Sequence, residues 1–180
     1  MGSIIKVNEY KDFNNNDIMT SDGAGNVTVN AAALKNTPNF FINKSANQAI
    51  NDVTNTIVTF DTVVIDTNSG YDGTNKYTIP AGEGGTYLIS YQIVFNDAQE
   101  KITESNTQLH VNGVVQSNYY LSISTGVLVF VTHSPSLVLD LSAGDELKVN
   151  AYSNTTDSGT TDVVGGSNYN SWLQGYKLIT

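Results

Sequence analysis

The chain has 180 residues, 39% of them apolar and 14% charged, with eight lysines, no arginine, no cysteine and a net charge of −9. Without cysteine there are no disulfides and no thiolate metal sites. Without arginine the usual tool for phosphate and base recognition is missing, so nucleic acid and anionic lipid are unsuitable partners. No apolar run approaches the roughly 20 residues of a membrane-spanning helix. Residues 1–20 lack the basic start and apolar middle of a signal peptide, so a soluble protein not addressed to ordinary secretion is expected.

In chain order, residues 1–39 differ in character from the rest. Ile4, Ile5 and Val7 form a short strand candidate, followed by Tyr10 and a polar run over 11–17. Ile18-Met19-Thr20, the turn residues 21–26 and Val27-Thr28-Val29 predict a small hairpin. Residues 31–34 allow one helical turn before Thr37-Pro38 stops it. Such pieces bury little surface alone. The segment is therefore either a loose tail or a docking element ordered by a partner or by copies of itself, and its repeated β-branched pairs favour docking.

From Phe40 onward strand signals recur at short intervals. They cover Phe40-Phe41-Ile42, residues 56–60, Val63-Val64-Ile65, residues 76–79, and the long stretch 86–95. Residues 108–111 and Val114-Val115-Gln116 flank Asn112-Gly113, the strongest two-residue hairpin signal in the chain. Stretches at 119–123, 127–132, 136–141, 146–152 and 172–179 complete the set. About ten antiparallel strands with turn residues between them and no convincing helix predict an all-β sandwich or barrel. Residues 96–106 and 154–168 read as the mobile loops. Within 86–95 the alternation places Tyr87, Ile89 and Tyr91 in the core and Leu88 on the opposite face. Adjacent Tyr119 and Tyr120 must face opposite ways if extended, one towards the core and the other towards a surface or subunit contact.

Nothing in the sequence assembles a catalytic centre. The two histidines, His110 and His133, have no nucleophile elbow to work with, and read as solvated or hydrogen-bonded side chains. The acids are scattered through turns, where carboxylates commonly cap backbone, so a two-carboxylate glycosidase has no specific support. Residues 66–72 (Asp-Thr-Asn-Ser-Gly-Tyr-Asp) are rich in oxygen ligands but lack the glutamate of a hand-type calcium loop, which leaves room only for a loosely bound surface calcium. A non-enzymatic protein with no cofactor is expected.

A family resemblance rests on the central stretch. Phe60, Asp66, Tyr71 and Tyr77, then Gly85-Thr86-Tyr87-Leu88-Ile89-Ser90-Tyr91, resemble the signature of the complement globular head, a member of the tumour-necrosis-factor-like jelly-roll superfamily. Ile89 stands where the family has phenylalanine, Tyr77 comes one residue early, and the turn at 80–84 is enlarged. Downstream, residues 109–113 (Leu-His-Val-Asn-Gly), Gly144-Asp145 and the closing Ser171-Trp172-Leu173-Gln174-Gly175-Tyr176 fall in family order. The resemblance covers residues 40–180 and implies a ten-stranded jelly roll that associates as a homotrimer. Leu88, Tyr119 and Tyr120 are the candidate subunit contacts.

Residues 3–12 and 20–28 resemble the leaders of virion proteins from marine bacteriophages, in which such a leader precedes a complement-type head. This resemblance implies a virion structural protein assembled in a bacterial cytoplasm, either a capsid decoration or a tail-fibre knob. Residues 1–39 would anchor it to a capsid or tail protein through Ile4, Ile5, Val7, Tyr10, Ile18, Val27 and Val29, while the head at 40–180 contacts a host glycan or protein. A free-standing complement-like lectin or pattern-recognition module is the alternative; the absent signal peptide and cysteines speak against it.

Overall fold

The structure is a computed structural model that describes residues 9–29, 37–97, 99, 101–166, 168 and 170–178. Ile4, Ile5, Val7 and the helical turn at 31–34 lie outside the described residues. Among those described there are sixteen strands and no helix. Strands β1 (Glu9–Lys11), β2 (Asp17–Ser21) and β3 (Val27–Val29) form an antiparallel three-stranded sheet of their own. The expected hairpin is β2–β3, and β1, which ends where the polar run at 11–17 begins, adds to it.

The head is a jelly roll of two facing sheets. One contains β11 (Val114–Ser122), β10 (Ile102–Val111), β14 (Glu146–Thr155) and β6 (Thr56–Ile57), in that order, with β8 (Tyr77–Thr78) also on β14. The other runs β5 (Gln48–Asn51), β15 (Thr160–Val163), β9 (Gly85–Asn96), β16 (Trp172–Lys177), β4 (Asn39–Asn43) and β7 (Thr62–Asp66). On its other edge β9 also takes β12 (Phe130–His133) and β13 (Ser136–Leu141).

Strand β9 is the axis of this arrangement because its alternation is nearly uninterrupted. Tyr87, Ile89, Tyr91, Ile93 and Phe95 are fully buried. Burial of Ile89, Ile93 and Phe95 contributes about 1.5–3 kcal/mol each. Strand β14 answers from the facing sheet with Leu147, Val149 and Ala151, also fully buried. The turn between β10 and β11 is Asn112-Gly113, with φ of 51° and 80°. Both values lie in the left-handed region that a type I′ hairpin requires.

Two expectations about mobile loops are corrected. Residues 96–106 include the first half of β10, starting at Ile102, and 154–168 contain β15 with Thr161 and Val163 buried. Strands β5 and β15 pair with each other, and β15 closes on the end of β9. The stretch 56–60 is strand only at its start, although Val58 and Phe60 are buried without a ladder.

Candidate interaction surfaces

The signature residues gather around one end of the core. Phe40 and Tyr77 stack with ring centroids 3.7 Å apart, and Gly175 lies against Phe40. A Cβ at Gly175 would sit 2.4 Å from Phe40 Cε1 and 2.7 Å from Ile89 Cδ1, so only glycine fits there. Phe60, Tyr77, Tyr87, Ile89 and Tyr91 are buried, and half-buried Tyr71 packs against them. The Tyr71 hydroxyl donates to the Phe60 carbonyl at 2.6 Å, and the Tyr87 hydroxyl to the Glu83 carbonyl at 2.6 Å. Tyr176 is the exception. It alternates with buried Gly175 and lies on the outward face of the sheet, so it is not core.

The loop at 66–72 is organised by its own carboxylates. Asp66 accepts the amides of Gly70 (3.1 Å) and Tyr71 (3.0 Å), while Asp72 accepts those of Thr74, Asn75 and Lys76. Those amides hold Asp72 below the usual carboxylate range against the opposing effect of burial, which is the larger single influence. The oxygens that suggested a calcium loop are thus turned towards backbone N–H groups. No cluster of three or more metal-binding side chains occurs among the described residues. Beside this loop a hollow of about 560 Å³ is walled largely by turn residues, among them Gly70, Tyr71, Pro80 and Gly144.

Among the described residues neither histidine is hydrogen-bonded to an acid. His110 is bonded to Gly113 O and Gln108 Oε1. His133 is buried, with Nε2 2.8 Å from Ser105 Oγ and its ring edge-on to Phe95. Burial holds its pKa below the usual imidazole value.

What the head offers outward are two contrasting faces. On the β9 sheet, Val138, Leu88 and Tyr176 are direct cross-strand neighbours on β13, β9 and β16, forming an apolar row with Val138 62% exposed. One row further on, Ser90 and Ser136 hydroxyls meet at 2.8 Å, and beyond them Phe41 packs edge-on to Trp172. Leu88, expected on this face, lies at the centre of the row. Val138 was not anticipated, because only the β9–β13 register brings it beside Leu88.

The pair Tyr119 and Tyr120 corrects an expectation. Both are exposed, at 48% and 56%, and neither enters the core. They do face opposite ways, Tyr119 opposite buried Thr107 and Tyr120 opposite Asn106. The reason is that β11 is the edge strand: even its inner-side residues Tyr119 and Leu121 are left exposed, so the facing sheet does not cover them.

On the outward face of the five-stranded sheet, Tyr120, Asn106 and Tyr152 form a row across β11, β10 and β14. Asn118, Gln108 and Asn150 form the next row, and Ser122, Glu104 and Asn154 the one before. These rows are mainly polar, with exposed Ile57 on β6 beside Asn150, and the face carries a groove of about 320 Å³. The amino-terminal sheet has its own apolar row, Tyr10, Met19 and Val29, with Val27 beside Val29 on the same face; Tyr10, Met19 and Val27 are exposed. Ile18 lies on the opposite face of β2.

No family model matches this chain, and no curated protein is similar to it at a significant level. Solved structures are similar. The globular domain of zebrafish complement 1qA shares 15% identity at a TM-score of 0.51, over 78% of this chain and 97% of that one. Murine APRIL shares 15% at 0.54 in its pH 5.0 structure and 16% at 0.52 in its pH 8.5 structure, over 78% of this chain and 98% and 99% of those chains. At such identities the likeness is one of fold, and the fold is the jelly roll common to complement heads and tumour-necrosis-factor-like proteins.

Proposed function

We propose that the chain is a phage virion structural protein: a homotrimeric head that works by binding, not chemistry, and is docked through its amino-terminal strands. The observation that carries the assembly is the outward apolar row Val138–Leu88–Tyr176 on the β9 sheet. A second apolar site, Tyr119 and Leu121, lies on the β11 edge. A face on one copy that meets an edge on the next makes a head-to-tail contact, and such contacts satisfy every copy when they close into a ring. Closure also shields an edge strand that would otherwise invite pairing.

Support for the particle setting is the resemblance of residues 3–12 and 20–28 to phage leaders, together with the apolar row on the β1–β3 sheet. A three-stranded sheet that leaves Tyr10, Met19 and Val27 exposed is suited to adding its face to a neighbouring protein. Light scattering on the full chain tests the assembly: three chain masses at micromolar concentration are expected, and a stable monomer would overturn it. Mass spectrometry of purified particles tests the setting, and absence of the chain from them would leave the free-standing binding module in its place.

A further inference from the structure

We infer that the outward face of the β10–β11–β14 sheet is a binding site for a neutral saccharide, centred on Asn106 between Tyr120 and Tyr152. The inference stands on the single head and is independent of its assembly and of the particle. Its basis is the row in which Tyr120 and Tyr152 flank Asn106 on the adjacent strands. Strands two apart in a sheet lie about 10 Å from each other, so two rings rise on either side of one amide with room for one flat ligand ring. Tyrosine suits the task because its ring presents an apolar surface to sugar C–H groups while its hydroxyl stays wet.

The floor and rim of the groove supply hydroxyl partners. Asn55, Glu104, Asn106 and Gln108 line it together with the two tyrosines. Asn106 gives its Nδ2 to Asn118, while its Oδ1 is buried and has no hydrogen-bond partner among the described residues. A buried acceptor without a donor is uncommon in a folded protein and is satisfied if a ligand hydroxyl donates to it. The volume, about 320 Å³, is at the lower end of small-molecule sites and fits one or two sugar rings better than a long chain.

Charge selects among ligands. Among the described residues no lysine lines the groove and Glu104 is its single carboxylate, which disfavours phosphate, sulfate and acidic sugars. The site is also not hydrolytic. Cleavage of a glycosidic bond needs two carboxyl groups flanking it. The next acid near Tyr152, Asp52, is committed to the Thr155 amide at 2.6 Å and to the Thr155 hydroxyl at 3.0 Å. The arrangement holds a sugar without turning it over.

Saturation-transfer NMR on the full chain with a panel of glucose, galactose, mannose, N-acetylglucosamine and their neutral disaccharides tests this. Transfer to ring protons of at least one probe is expected. Tyr120→Ala, which removes a side chain more than half exposed, should weaken that probe roughly tenfold, the scale of one lost aromatic stack. Asn106→Ala should weaken it as well. Asp140→Ala, exposed on the other sheet, should leave it unchanged. Silence across the panel, transfer that survives both Tyr120→Ala and Asn106→Ala, or binding confined to sialic acid added as a control would each overturn the inference.

Discussion

The two sheets share one interior and turn different chemistries outward. On the β9 sheet the central row is Val138–Leu88–Tyr176; on the facing sheet it is Tyr120–Asn106–Tyr152. Inward, β9 contributes Ile89, Tyr91 and Ile93 and β14 contributes Leu147, Val149 and Ala151 to one core. The inward set decides the fold and constrains the outward set only by period. That leaves one outer face to become apolar enough for assembly and the other polar enough to stay in water or hold a ligand. A change inside should therefore harm both faces, and a change outside only one.

The largest effect is expected inside. Gly175→Ala places a methyl group against the Phe40 ring and Ile89, and Phe40 is already stacked on Tyr77. The glycine's own φ is not in the left-handed region, so the cost is steric. Overpacking of this kind destabilises by about 1–3 kcal/mol, and with ring and aliphatic neighbours both blocked the upper end is expected. Denaturant unfolding followed by tryptophan fluorescence measures it through the single Trp172. A variant as stable as the parent would show that the stacked ring gives way.

How much of this was legible beforehand depended on where the deciding information lies. Tyr87, Ile89 and Tyr91 could be placed from their period alone, and Asn112-Gly113 from its turn chemistry. Strands β5 and β15 could not: Gln48–Asn51 buries only Ile50, and Thr160–Val163 is polar in sequence. Those strands exist because they pair with each other and β15 pairs with the end of β9, a long-range cause that local composition does not carry. The same holds for the outward rows. Tyr120 stands out in sequence for its neighbour, yet Asn106 becomes its partner only past the bulge at 109–110, and Tyr152 only through the β10–β14 register. A slip of one residue would turn each to the other face.

On the face proposed for assembly, Leu88→Asp should convert the proposed trimer to a monomer while leaving the circular dichroism of the head intact. Leu88 is half-buried in the single chain and central in the apolar row, so closure would bury one unpaired carboxylate per copy. Burying an unpaired charge costs several kcal/mol, more than a contact of this size can offset. Val138→Asp, at a more exposed position, serves as the companion variant. A Leu88→Asp protein that stays trimeric by light scattering would place the interface elsewhere and remove the contrast between the faces.

Where the sheets meet, His133 on β12 reaches Ser105 on β10 across the sandwich. Its folded pKa is depressed by burial, so the unfolded chain binds the proton more readily. Stability is then complete above about pH 6.5, the ordinary imidazole value, and falls as pH drops through the lowered folded value. Thermal melts between pH 7.5 and pH 5 should show this fall, and His133→Asn should flatten it in that window. The carboxylates bonded to loop amides, such as Asp72, lose their contribution only at lower pH. An unchanged slope in His133→Asn would assign the acid sensitivity to them instead.

The smallest effects are the most discriminating, because two tyrosines at the same end of the core should respond to loss of a hydroxyl with opposite sign. Tyr71 donates to the Phe60 carbonyl at 2.6 Å, a bond that closes the 60–71 segment onto the core. Tyr77 is fully buried in the stack with Phe40, and its hydroxyl has no partner among the described residues. Tyr71→Phe removes a made hydrogen bond and leaves a carbonyl short of its donor, a loss of about 1 kcal/mol. Tyr77→Phe removes a buried group that is desolvated with nothing in return, and should be neutral or stabilising by about 1 kcal/mol. Paired urea titrations of the two variants at neutral pH give the sign directly. If Tyr77→Phe proves the more damaging of the two, its hydroxyl has a partner and the stack at the end of the core is held by more than packing.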